Sequence, residues 1–137
     1  MAGTFNLQVV TPEREIFNGA VESVTVPGSE APFGVLRNHA PIIAALDPGV
    51  VKIFNVEGEE IRLVVGGGFF QMADNTAMVL ADSAERPSEI DLARAQEAEA
   101  RAKSRLSGQL EPVMEVQRER AAAALKRAQI RVRNSGR

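Results

Sequence analysis

The sequence has no cysteine, no tryptophan and no tyrosine, and its only histidine is His39. Without cysteine there is no disulfide, no thiolate nucleophile and no cysteine-ligated zinc, and a reducing compartment is allowed. A histidine-based metal site or a His-paired nucleophile within one chain would have to use His39. No apolar run approaches the ~20 residues that span a bilayer, so direct membrane insertion is not expected. The opening residues 1–10 lack a basic region and an apolar stretch, and read as mature chain rather than a signal peptide. Charge of one sign is also missing. Sixteen Lys/Arg against eighteen Asp/Glu leave a net −2, which exerts no global pull on nucleic acid or acidic lipid.

What is present divides sharply near Pro87. The chain of 137 residues, 45% hydrophobic, suffices for one ordinary domain and a small appendage. Before the boundary lie all six phenylalanines, nearly all the β-branched residues, six of the seven prolines and every glycine except Gly108 and Gly136. After it come alanine, arginine, glutamate and leucine, a switch from strand formers and turn residues to helix formers. Charge divides too. Residues 1–87 hold five Lys/Arg and eleven Asp/Glu, a net of −6; residues 88–137 hold eleven and seven, a net of +4.

The first part reads as short strands at Phe5–Val10, Arg14–Asn18, Ala20–Val26, Gly34–Leu36, Ile42–Leu46, Gly49–Phe54, Glu60–Val65, Phe69–Met72 and Thr76–Leu80. Turn signals separate them: Thr11-Pro12, Asn18-Gly19, Pro27-Gly28, Asp47-Pro48-Gly49, Glu57-Gly58 and Asp74-Asn75. Val21, Ser23 and Thr25 alternate with Glu22, Val24 and Val26; Val50, Lys52 and Phe54 alternate with Val51 and Ile53. Such spacing predicts an antiparallel all-β sandwich or barrel.

The second part predicts two helices. Ser88 is the expected N-cap of the first, with Asp91 as its capping-box acid, and the helix should run to about Leu106. Ser107-Gly108 ends it, and Pro112 opens a second helix running to about Arg133. Ala95, Ala98 and Ala102 form a narrow stripe on the first helix; Met114, Ala121, Leu125, Ala128 and Val132 share a face of the second. The two faces fit a close antiparallel hairpin that buries little apolar area and opens at modest cost.

Several segments resemble the epsilon subunit of bacterial and chloroplast rotary, proton-translocating ATP synthases. They are Leu7-Gln8-Val9-Val10-Thr11-Pro12-Glu13, Ile16-Phe17, Val24-Thr25-Val26-Pro27-Gly28-Ser29-Glu30 and Gly34-Val35-Leu36-Arg37-Asn38-His39-Ala40-Pro41. Pro48-Gly49-Val50-Val51-Lys52-Ile53, Gly67-Gly68-Phe69, Val79-Leu80-Ala81-Asp82-Ser83-Ala84-Glu85 and Ile90-Asp91-Leu92-Ala93-Arg94-Ala95 continue the match along essentially the whole chain. The resemblance implies a sandwich of about ten strands over residues 1–87, seated on the gamma subunit of the central stalk beside the membrane-embedded carrier (c) ring. It implies a two-helix regulatory arm over residues 88–137, able to reach the catalytic alpha and beta subunits and inhibit ATP hydrolysis. The chain would be a non-catalytic rotor subunit, helping couple proton flow to ATP synthesis. Its expected place is peripheral, on the cytoplasmic face of a bacterial plasma membrane or the stromal side of a thylakoid.

The same resemblance assigns candidate residues, each with a plainer reading beside it. Arg37, Asn38 and His39, with Ser29, Glu30, Pro32 and Phe33, belong to a surface facing the ring or shaft; as local structure they are turn formers. Some relatives carry an acid where this chain has Pro32. Ile90, Asp91, Arg94 and Ala95 match an Ile/Leu-Asp-x-x-Arg-Ala element with which some bacterial members bind ATP on the folded arm, and the resemblance adds Glu85, Arg101, Arg127 and Arg131 to that site. No other cofactor is implied. A carboxylate accepts from the adenine amino group and arginines hold phosphates by charge-assisted bonds. Equally, Asp91 suits a helix start and Arg94 a pairing with Glu97 or Glu99. Arg118, Arg120, Lys126, Arg127, Arg131 and Arg133 suit docking on acidic segments of the catalytic subunits, or a solvated helix whose terminal cations complement its dipole. Nucleic acid is not an expected partner, since no aromatic residue stands among these cations to stack on bases. Gly66-Gly67-Gly68 lacks the lysine and hydroxyl of a phosphate loop and is read as a strand irregularity. Two competing functions remain: an autonomous ATP sensor, and a β-sandwich enzyme, for which one histidine and no local constellation offer little.

Overall fold

The computed structural model describes residues 3–106 and 115–136, with the side chains of the second helix described from residue 119. The expected contributions of Met114, Pro112 and Arg118 lie outside the described side chains, as do the Ser107-Gly108 helix end and Arg137. Seven strands come first: β1 (Phe5–Val10), β2 (Glu15–Val26), β3 (Phe33–Leu36), β4 (Ile42–Asn55), β5 (Glu60–Ala73), β6 (Thr76–Ala81) and β7 (Ala84–Glu85). A 3₁₀ turn at Pro87–Glu89 leads to α1 (Leu92–Leu106) and α2 (Glu115–Asn134). The chain divides into two compact units, Met1–Arg86 and Pro87–Arg137.

The first unit is a sandwich in which three strands serve both layers. In one layer the order is first half of β2, β1, β6, second half of β5, first half of β4. In the other it is β3, second half of β2, second half of β4, first half of β5, β7. Counted by layer these are five segments each, the ten of the expectation; counted along the chain they are seven strands. The expected breaks inside β2, β4 and β5 are therefore absent. Asn18-Gly19, read as a turn, is paired across β2 with Gln8 and Leu7. Asp47-Pro48-Gly49 lies within β4, Pro48 opposite Gly66, at the point where the strand passes between layers. Proline there donates nothing to the ladder. The Asp47 amide next to it donates to the Pro27 carbonyl.

Inward side chains form one core: Phe5, Leu7, Val9, Val21, Val24, Val26, Val51, Ile53, Leu63, Val65, Phe70, Met72 and Val79 among them. The alternation in β2 changes phase, with Val21 buried and then Val24 and Val26. A bulge explains it: Val21 faces Asn55 and Ser23 faces Phe54, so Glu22 is the extra residue. Gly67 and Gly68 have φ of 103° and 142°. A Cβ at Gly68 would collide with the Leu80 carbonyl, which lets β6 come close before Asp82 and Ser83 interrupt its course to β7. The strand-irregularity reading of this triplet thus holds. Asp74 and Asn75, both with positive φ, make the two-residue turn between β5 and β6.

In the second unit the helix start differs from the expectation. The Asp91 carboxylate, not Ser88, accepts the amide of Arg94 at 3.1 Å, and the Ala95 amide donates to the Asp91 carbonyl at 3.0 Å. Asp91 is the N-cap itself. Ser88 is held in the 3₁₀ turn, where the Ile90 amide donates to Pro87 O. Ala95 and Ala102 are buried on α1, and Ala121 and Ala128 on α2, each pair seven residues apart. The Gly136 amide donates to Pro87 O at 2.9 Å, tying the two ends of the hairpin. The buried apolar positions of both helices are thus small residues at heptad spacing, so the antiparallel helices can pack closely.

Candidate functional site

On a strand, neighbours point to opposite faces, so Phe69 and Phe70 cannot share one. Phe70 is fully buried with Met72, whereas Phe69 is 55% exposed. Cross-strand register extends the outward set. Ala45 faces Phe69, Phe69 faces Leu80, and Leu80 faces Val10 across four successive strands. The next row outward is Ile43, Gln71, Met78 and Gln8. Ile43 is 75% exposed and Leu80 44%. Gln8 and Glu15, joined by a 2.6 Å hydrogen bond, border the patch. The sandwich therefore presents a contiguous apolar row on the outer face of a sheet, the kind of surface that marks a protein contact. These residues were not among the expected site residues. Their signal was available: two adjacent phenylalanines on one strand force one of them out.

The expected ring-facing residues occupy the two ends of β3, which spans about 10 Å. At one end Ser29, Glu30 and Pro32 are exposed. The Ser29 amide donates to Ala45 O at 2.9 Å and Gly28 bridges to Leu46, so this loop runs along the edge of β4. Phe33 is not at the loop's tip. Its ring meets Phe70 edge-on at 5.8 Å and packs on the core, anchoring the loop. At the other end Arg37 and Asn38 are exposed and His39 half-buried. Its Nδ1 lies 2.7 Å from Ala40 O, so the ring is held against its own turn.

In the hairpin, Asp91, Arg94 and Arg101 are exposed, and Arg127 and Arg131 half-buried. Arg94 lies in the first turn of α1 and Arg127 and Arg131 in the last two turns of α2, so all three belong to the end of the hairpin where Pro87 and Gly136 meet. Arg101 is seven residues, about 10 Å, further along α1. Ala95, 3% exposed, belongs to the stripe between helices and offers a ligand no surface of its own. Ile90 is buried in the turn before the cap. Glu85 belongs to β7, paired with Val64 in the other unit. Arg120, Lys126 and Arg133 are exposed on α2. Among the described residues no helix is long and apolar enough to cross a membrane, and no group of three His, Cys, Asp or Glu stands together as a metal site would.

Fold and surface define a two-module chain: a sandwich with an open apolar sheet face, carrying an antiparallel helical hairpin. Residues 4–87 match the family described as ATP synthase, Delta/Epsilon chain, beta-sandwich domain, and residues 88–136 its long alpha-helix domain. The chain is 42% identical over 132 residues to the ATP synthase epsilon chain of Syntrophomonas wolfei, covering 96% of this chain and 94% of that one. It is 46% identical over 104 residues to the epsilon chain of Pelotomaculum thermopropionicum, covering 76% and 77%. The chain thus belongs to the ATP synthase delta/epsilon family. Its fold is similar to that of a chain in the Euglena gracilis mitochondrial ATP synthase structure, with a TM-score of 0.79 at 21% identity over 95% of this chain and 80% of that one. A chain of the Tetrahymena thermophila mitochondrial central stalk and c-ring structure matches with a TM-score of 0.61, also at 21% identity, over 96% and 94%.

Proposed function

We propose that this chain is a non-catalytic central-stalk subunit of a rotary ATP synthase, gripping the gamma subunit through the Ala45–Phe69–Leu80–Val10 row. The observation that carries the proposal is that apolar row, left open on a sheet face. Relatives named epsilon chain at over 40% identity supply the context. The exposed loops at the two ends of β3 face the c ring and, with the gamma contact, help couple proton flow to ATP synthesis. The chain sits peripherally at the membrane through these partners. The cations on α2 (Arg120, Lys126, Arg127, Arg131 and Arg133) dock the opened arm on acidic segments of the catalytic subunits and inhibit hydrolysis.

Co-purification with the gamma subunit tests the grip. Wild-type chain should associate stably, and the Phe69→Glu, Leu80→Glu double variant should not while keeping its fold. Association that survives the double change refutes the assignment of the face. An ATPase assay of the complex with and without residues 88–137 tests the arm: truncation should relieve inhibition. ATP binding by the hairpin is a second reading, favoured by Arg94, Arg127 and Arg131 lying at one end of the hairpin. Because Asp91 caps α1, Asp91→Ala would weaken the helix as well as any ligand contact. Asp91→Asn keeps a capping oxygen and separates the two effects. Calorimetry at millimolar ATP with no heat change would remove this reading.

A further inference from the structure

The Asn75 side chain bonds the backbone at two remote places. Its Oδ1 accepts the Asn38 amide at 2.8 Å, 37 positions away. Its Nδ2 donates to Thr4 O at 3.0 Å, 71 positions away. Its own carbonyl accepts the Asn6 amide at 3.3 Å. One side chain thereby joins three segments: the start of β1, the β5–β6 turn and the loop Arg37–His39. The geometry suits asparagine. The backbone at Asn75 has φ of 57°, a conformation asparagine tolerates, and the amide supplies one acceptor and one donor at once.

The loop it holds is otherwise weakly fixed. Asn38 itself has φ of 58°, and the backbone bond closing the turn, from the His39 amide to Leu36 O, is long at 3.3 Å. Leu36, Arg37 and Asn38 are exposed, with the Arg37 side chain lying against Gly3. We infer that Asn75 is a positioning residue: it fixes the Arg37–His39 loop in the shape that meets the c ring. The inference rests on the ring-facing reading of that loop. Pre-setting the loop removes the cost of ordering it during docking. The same staple couples the loop to the β5–β6 hairpin, whose strands carry Phe69 and Leu80.

The test uses Asn75→Gly and Asn75→Asp. Glycine keeps the left-handed turn without strain and deletes both side-chain bonds. Aspartate keeps an acceptor for Asn38 but loses the donor to Thr4. In the free full-length chain, hydrogen exchange at the Asn38 amide should accelerate at least tenfold in Asn75→Gly and much less in Asn75→Asp. In the assembled synthase, proton-driven ATP synthesis per gamma-bound chain should fall severalfold in Asn75→Gly and recover partly in Asn75→Asp, with gamma association unchanged. Exchange at Asn38 within twofold of wild type would overturn the staple whatever the loop meets. Faster exchange with full coupling, alongside coupling lost in Arg37→Glu, would overturn the positioning role while leaving the ring reading intact. Full coupling in both Asn75→Gly and Arg37→Glu would overturn the ring reading and the positioning role together.

Discussion

Phe69 and Phe70 are neighbours in sequence and opposites in consequence, and Phe69→Ala separates folding from docking. Phe70 is fully buried, so its truncation would cost the fold about 3–5 kcal/mol. Phe69 keeps 55% of its surface exposed. A phenylalanine offers on the order of 200 Å². A partner covering the exposed half removes about 110 Å² from water, roughly 2.7 kcal/mol at about 25 cal/mol per Å². That corresponds to about a hundredfold in affinity. The assay is titration of the purified gamma subunit by calorimetry, beside thermal melts of each variant. Phe69→Ala should melt within a few degrees of wild type and bind gamma about 30- to 300-fold more weakly. Binding within threefold of wild type at full stability would refute the argument, because it would mean the row remains open in the complex.

Gly68→Ala should destabilise the sandwich by about 3 kcal/mol or more, from a φ of 142° and a collision with the Leu80 carbonyl; chemical denaturation measures it, and a change under 1 kcal/mol contradicts the close approach of β6. Asp91→Ala should lower helix stability by about 1 kcal/mol and Asp91→Asn by much less, read by amide exchange along the first turn of α1; equal effects would deny the cap. Ala128→Leu should force the helices apart at a cost of about 1–3 kcal/mol and, if opening of the arm inhibits, deepen inhibition of hydrolysis; an unchanged hairpin would show that Ala128 does not lie in the seam between the helices.

The two-unit plan was legible because its causes are local. Alternation at Val50–Phe54 and helix formers after Pro87 need no tertiary information. The β5–β6 turn was legible for the same reason: Asp74 and Asn75 tolerate positive φ. Turn signals misled where long-range pairing won. Asn18-Gly19 and Pro48-Gly49 are turn formers by propensity, yet the ladders to β1 and β5 hold both extended. The phase of β2 was not legible, since the bulge at Glu22 exists only in its register with β4. Ser88 and Asp91 are both good capping residues; Pro87 starts a 3₁₀ turn that delays the α-helix to Leu92, and this decided between them. The apolar row was half legible. Phe69-Phe70 required one exposed ring, but joining it to Ala45, Leu80 and Val10 takes the register of four strands. Nothing in the spacing of Thr4, Asn38 and Asn75 announces that one amide binds all three segments.

The passage of β2, β4 and β5 through both layers has a mechanical consequence. Two stacked plates held by oily contact alone would slide under a lateral load. Here three strands run unbroken from one plate into the other, so a load applied at the Phe69 side would reach the β3 edge through backbone bonds and not through side-chain contacts alone.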